Sequence, residues 1–499
     1  MTDTNTRVNA AGIDKEEFLR IGHALINRLA DFYETIASRP VTTAETPKAI
    51  QEILGNRSLP VDGSSATALM ERASQLLIEH SLLNGHPKFL GFVTSSPTQI
   101  GALADLLASA VNANVGANIL SPMATAIEKQ TVKWLAEFIG LSPAYGGLLV
   151  SGGNIANFTG FLAARTAKAP KTLKEEGLPG LSSNMVFYCS RATHTWIEKA
   201  AVLFGHGTKA LRWISSNADN TMNTNELDRI IREDLASGYQ PFLVCGNAGD
   251  VSTGAVDDLS TIAAICKQHN LWFHVDGAYG IPAATLPEHE PLFKGMHEAD
   301  SIALDPHKWL YAPLEAGCIL VKDHQHLLDT YSAHPAYYNF EGSDGVTTVN
   351  YYEYGFQNSR GFKALKVWLG LQQAGRAGYA DLIREDIRLS EHMYDFAVAH
   401  PELEAVSQQL SIATFRYVPP KTAMSPDHGE AYLNALNERL LNELQQGGEL
   451  FLSDAIVQGK YCLRACVVNY RTSMQDIDEV MEIVVREGRK VSELFMPGL

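Results

Sequence analysis

The sequence is short of cations: Lys and Arg together number 40 against 56 Asp and Glu, a formal net charge of −16. That balance disfavours phosphate backbones and anionic membranes, so neither nucleic acid nor membrane is an expected partner, although one local cationic pocket remains compatible. Long apolar runs are lacking too. The best candidate, 103–120, is interrupted by Asp105 and three asparagines, so nothing is expected to cross a bilayer. Cysteine is scarce. Cys189, Cys245, Cys266, Cys318, Cys462 and Cys466 form no CxxC pair and no Cys/His cluster with zinc spacing, so reduced core thiols and no metal site are expected. The start, Met1-Thr-Asp-Thr-Asn-Thr, has neither the basic nor the apolar region of a signal peptide, which points to a cytoplasmic protein.

What is present suits a globular chain of more than one domain: 499 residues, 45% apolar and 19% charged. Apolar residues recur at helical spacing from Asp14 to about Ile36 and again near Ala66 to His80, which predicts a helical N-terminal arm over 1–97. From 98 to 370 short apolar runs (Met185–Cys189, Phe242–Cys245, Leu271–Val275, Ser301–Leu304) alternate with helical stretches such as Leu259–Gln268. This predicts an α/β domain with a mostly parallel sheet flanked by helices. Residues 371–499 read as a small α+β domain with strands at Ile412–Val418 and Tyr461–Asn469 and a closing helix after Met474. Ligands in parallel sheets bind beyond the carboxyl ends of the strands, so the residues that follow the apolar runs carry most interest.

Five segments lie there. Ser301-Ile-Ala-Leu-Asp305-Pro306-His307-Lys308-Trp309 sets a lysine beyond a strand, either as an amine nucleophile in a low-polarity pocket or as a lysine snorkelling to solvent. In Phe273-His274-Val275-Asp276-Gly277-Ala278 alternation puts His274, Asp276 and Ala278 on one face. The carboxylate there needs a cationic or proton-donating partner; a protonated pyridine nitrogen, a helix to cap or Mg²⁺ would each serve. Ser151-Gly-Gly-Asn154, ahead of a helical pattern, can bring backbone N–H groups to an anion or simply make a tight turn. His194, at a strand-to-helix transition, is either a ring-stacking proton donor or structural, and Asn247 lies on a turn after another strand.

In this order the segments resemble the group II pyridoxal-phosphate decarboxylases, closest to the aromatic-L-amino-acid branch, from about His86-Pro87 to the Arg464 region. The resemblance implies the aspartate-aminotransferase-like fold type I of pyridoxal-phosphate enzymes. It implies Lys308 as the Schiff-base lysine, Asp276 at the pyridinium nitrogen, Ala278 and His194 on the two ring faces, and Gly153, Asn154 and His307 near the phosphate. Asn358 and Ser359 match a segment that reaches the partner subunit's phosphate, which implies a homodimer with shared sites. Tyr337 matches a catalytic-loop tyrosine that protonates Cα; aldehyde-forming relatives carry phenylalanine there, so simple decarboxylation is implied. Phe92, Ser95, Asn114 and Gly116 match substrate-pocket positions, the last two less bulky than in animal relatives. The expected substrate is an aromatic amino acid. Ser151-Gly-Gly-Asn154 is similar to relatives that act on glutamate or diaminobutyrate, and transamination or aldehyde synthesis on the same cofactor remains the alternative chemistry.

Overall fold

The computed structural model describes residues 11–333, 348–420 and 429–494. The apolar runs become strands because helices cover both of their faces: every residue of β2 (Met185–Ser190) and β5 (Trp272–Asp276) is buried. With β1 (Gly146–Val150), β3 (Leu211–Ile214), β4 (Gln240–Asn247), β6 (Ser301–Leu304) and β7 (Gly317–Val321) they form one sheet in the order β1-β7-β6-β5-β4-β2-β3. Strands β2 to β6 pair in parallel, and β7 runs antiparallel between β1 and β6. Alternate residues feed two cores. Val186, Tyr188, Val244 and Phe273 pack with the helix Leu259–His269, whereas Phe187, Cys189, Leu243 and Cys245 pack with the helix Gly153–Lys168.

Because β1 shares the direction of β2 and β4–β6, the carboxyl ends Val150, Ser190, Asn247, Asp276 and Leu304 lie along one edge of the sheet. The second sheet is antiparallel, in the order β10 (Ser453–Val457), β11 (Lys460–Cys466), β9 (Ile412–Tyr417), β8 (Leu403–Gln409). Its core is closed by the helices Glu430–Gly447 and Met474–Leu494. The helix Ala364–Ala399 links the two sheets and spans the 370/371 junction; it is interrupted by Gly375, whose φ of 66° is non-helical.

In the arm, the helix Lys15–Thr35 starts at Asp14, whose side chain accepts from the Glu17 N–H at 2.8 Å, and the helix Ala66–Glu79 packs beside it. Among the described residues no helix is long and apolar enough to cross a membrane.

Candidate active site

The segments that follow β1, β2, β4, β5 and β6 converge on one cavity of about 790 Å³. Its lining includes Gly153, Asn154, His194, Asn247, Asp276, Ala278, His307 and Lys308 from the large sheet, Phe92 from the end of the 1–97 segment, and Arg464 from β11. Sequence reasoning placed these residues in separate motifs; the parallel strand order is what unites them.

Asp276 ends β5 and is 8% exposed. Its Oδ2 accepts from the Trp196 indole N–H at 2.7 Å and its Oδ1 from the Ala278 N–H at 3.2 Å. His274, on the same face, is wholly buried, with Nε2 2.7 Å from Asn157 Oδ1 and Nδ1 2.7 Å from Ser301 Oγ. It is a structural partner of the strand end, and burial pushes its imidazole below the usual histidine value.

Lys308 follows β6 by one turn, and its Nζ lies 3.3 Å from Asp305 Oδ2. Asp305 is 1% exposed, and its Oδ1 has no hydrogen-bond partner among the described residues. His307 Nδ1 faces the Ala316 backbone, 2.7 Å from its carbonyl oxygen and 3.2 Å from its N–H, and Nε2 lies 3.8 Å from Asp305 Oδ2. Burial is the main cause that holds both His307 and His194 below the ordinary histidine value; Lys308 adds to it and the nearby aspartates oppose it. Both rings are therefore neutral near pH 7.

The Gly152-Gly153 turn approaches these groups closely. Gly152 has φ 144°, where a side chain is strained, and a Cβ on Gly153 would come within 2.7 Å of Asp305 Oδ2 and 3.3 Å of Ala278 Cβ. The 16-residue helix Gly153–Lys168 begins here, so its free N–H groups and positive dipole end face the cavity. Asn247 is fixed from two sides: its N–H donates to Asp257 Oδ2 at 2.8 Å and its Nδ2 to Ser190 Oγ at 2.9 Å.

The conserved domain of pyridoxal-dependent decarboxylases matches residues 47–418. The chain belongs to the pyridoxal-dependent decarboxylase family. It is 31% identical over 481 residues to the aromatic-L-amino-acid decarboxylase of Bacillus atrophaeus, covering 96% of this chain and 97% of that one. Its fold superposes on Oryza sativa TDC solved with PLP and tryptamine, with a TM-score of 0.90 at 24% identity over 97% and 100% of the two chains. It also superposes on Catharanthus roseus tryptophan decarboxylase in complex with L-tryptophan, with a TM-score of 0.86 at 25% identity over 96% and 99%. The expected fold type I architecture is thus the one observed, and pyridoxal phosphate is the family's cofactor.

The residues present fit that cofactor. Lys308 offers an amine, Asp276 a carboxylate, Ala278 a small apolar wall and the Gly152-Gly153 turn backbone N–H groups around one cavity, a lining whose chemistry suits a pyridine aldehyde that carries a phosphate.

Other expected positions lie elsewhere. Ser95 is buried behind the cavity wall, where its Oγ donates to the His307 carbonyl at 2.9 Å. Asn114 and Gly116 do not line the cavity. The Asn114 Oδ1 closes its own turn by accepting from Gly116 N at 3.0 Å and Arg360 N at 3.1 Å. Gly116 abuts Asn358, whose carbonyl oxygen a Cβ would meet at 2.1 Å. Asn358 and Ser359 are exposed and belong to this second cluster, away from Lys308. Tyr337 lies outside the described residues.

Three contributors escaped the sequence reading. Asp305 was visible inside the Lys308 motif, but Trp196 and Asp257 act on Asp276 and Asn247 across 80 and 10 residues of chain, with no local signal of those contacts.

Proposed function

We propose that this enzyme removes the α-carboxylate of an aromatic L-amino acid, giving the amine and CO2. The observation that carries the reading is that Lys308 and Asp276 open into one cavity. Aromatic specificity is supported by the Bacillus atrophaeus relative and by the tryptophan bound in the Catharanthus roseus enzyme.

In this reading Lys308 attaches the cofactor, Asp276 faces its ring nitrogen, and Ala278 and His194 flank its two faces. Gly153, Asn154 and His307 hold the phosphate at the helix N-terminus, and Asn247 lies at the cavity wall. When bound, pyridoxal phosphate supplies the electron sink for the pair released from the Cα–carboxylate bond. Arg464, 2% exposed on β11, donates Nη1 to the Phe92 carbonyl at 2.8 Å, while Nε and Nη2 have no partner among the described residues. Neutral His194, with Nδ1 accepting from the Trp196 N–H at 3.4 Å, keeps an Nε2–H as a hydrogen-bond donor inside the cavity.

We also read the active unit as a homodimer. Exposed Asn358 and Ser359, backed by half-buried Asn114 and buried Gly116, would then contribute to the neighbouring site. A reducing cytoplasm suits the six free, buried thiols.

Incubating the holoenzyme with tyrosine, DOPA, tryptophan, phenylalanine, glutamate and diaminobutyrate tests the reading. CO2 and amine should appear from the aromatic set, and Lys308→Ala should lose both the activity and borohydride-fixed cofactor. Keto acid without CO2 would reassign the enzyme to transamination; turnover of glutamate or diaminobutyrate alone would reassign its substrate.

A further inference from the structure

Trp196 opens the helix Trp196–Leu203 and is wholly buried. A buried indole N–H requires an acceptor, and here it is the Asp276 carboxylate, 2.7 Å away. The ring cannot swing off this contact. It meets His274 edge-on at 5.7 Å between centroids and Phe158 at 6.3 Å. The backbone N–H of the same residue points at His194 Nδ1, 3.4 Å away. One residue therefore touches the carboxylate beneath the cavity and the imidazole at its rim.

We propose that Trp196 is a positioning residue that aims the Asp276 carboxylate at the cofactor's ring nitrogen and fixes His194 as the tautomer with hydrogen on Nε2. The inference rests on the roles proposed above for Asp276 and His194. Its physical basis is the donor count. With Trp196 on Oδ2 and Ala278 on Oδ1, each oxygen accepts one N–H, and together the two donors fix the plane and direction of the carboxylate. Without the indole, Oδ2 loses its donor in a site that is 8% exposed, and the carboxylate rotates away from the direction a ring nitrogen requires. Burial also keeps His194 in the neutral form that accepts from the Trp196 backbone.

A tryptophan that merely filled space would support every ligand of the site equally, and that separates the two roles. The test measures the affinity of the apoprotein for pyridoxal phosphate and for its carbocyclic analogue, in which CH replaces the ring nitrogen. Trp196→Phe keeps much of the volume but removes the donor. Site-specific replacement of Trp196 by 3-benzothienylalanine, which exchanges the indole N–H for sulfur in the same shape, covers the case in which Trp196→Phe fails to fold. In either variant pyridoxal phosphate should bind about tenfold more weakly, the size of one lost charge-assisted hydrogen bond, while the analogue loses less than about twofold. Equal losses for both ligands, or none for either, would overturn the proposal. Failure of the wild-type protein to fix pyridoxal phosphate at Lys308 under borohydride would instead defeat the underlying assignment of the site.

Discussion

At the scale of single residues, the chemistry-bearing motifs were legible where the acting groups are close in sequence. Asp305-Pro-His-Lys308 and His274-Val-Asp276-Gly-Ala278 each compress several roles into a few positions, so their pattern survives without any knowledge of the fold. Residues that act across the chain leave no such trace. Asp386 illustrates this. It sits in the helix Ala364–Ala399, yet its Oδ2 accepts from the Trp309 indole at 2.8 Å and the Tyr311 hydroxyl at 2.5 Å, gripping the turn next to Lys308. Trp309 is held from its other side by Tyr279, stacked at 5.0 Å. Burial pushes the Asp386 carboxyl up to about 7, against the pull of those two donors. In an unfolded chain it would titrate near about 3.9. Below that value it is neutral in both states. As pH rises from about 4 to 7 the unfolded chain releases the proton while the folded one retains it, so stability is lost across that window and levels off above it. Asp386→Asn removes this titration, and thermal melts at constant ionic strength should then show a shallower fall in Tm between pH 5 and 7.5. Parallel curves for variant and wild type would show that Asp386 is ionised throughout. Asp257, also raised to about 7 by burial, contributes the same trend to both proteins and cancels in the difference.

At the scale of elements, β2, β4, β5 and β6 were read from sequence because burial on both faces makes them nearly continuous apolar runs. β1 and β7 were not singled out although they too are apolar, and β3 and β10 were missed for the converse reason. They are short and only partly apolar; in β10 (Ser453–Val457) buried and exposed residues simply alternate. Nor does any local feature announce that β7 enters the sheet antiparallel between β1 and β6. That insertion matters for the site, because it sets Gly317 opposite Val150, immediately before the Ser151–Asn154 turn. A Cβ on Gly317 would come within 2.5 Å of the Gly152 backbone, where no flexible side chain can yield. Gly317→Ala should therefore displace the turn proposed to cradle the phosphate, lowering cofactor affinity and costing about 1–3 kcal/mol in urea unfolding. Unchanged values of both would mean that β1 and β7 slide apart without cost. The ion pair behind the same turn is a second element-scale support. Glu128 and Arg360, 0% and 4% exposed in their side chains, meet at 2.5 Å, and Arg360 also donates to the Leu149 carbonyl at 2.6 Å. Removing one charge strands the other in the core, so Glu128→Gln should destabilise the fold by about 3–5 kcal/mol as measured by denaturant titration.

At the scale of the whole molecule, the distribution of apolar surface argues for association. No residue of the arm helix Lys15–Thr35 is buried, although Phe18, Leu19 and Ile26 are on its surface. On the helix Gln99–Val111, Leu103, Leu106, Leu107 and Val111 are all about half exposed or more. Apolar surface of this extent on a single chain marks an interface, since leaving it in water costs about 25 cal/mol per Å². This helix leads directly into the 112–120 segment that carries Asn114 and Gly116 beside Asn358 and Ser359. Association through it would therefore bring the exposed Asn358 and Ser359 to a second subunit's cavity and explain why a single chain does not place them on the cavity that Lys308 lines. Replacing Leu106 and Leu107 by glutamate places two charges in that surface without touching the cavity or the two sheets. Sedimentation should show a dimer for the wild-type protein and a monomer for the double variant, with cofactor affinity falling in parallel because the phosphate loses the partner subunit's Asn358 and Ser359. A monomeric variant that binds pyridoxal phosphate as tightly as the parent would mean that each chain completes its own site, and the cluster at 114–116 and 358–359 would then need another explanation.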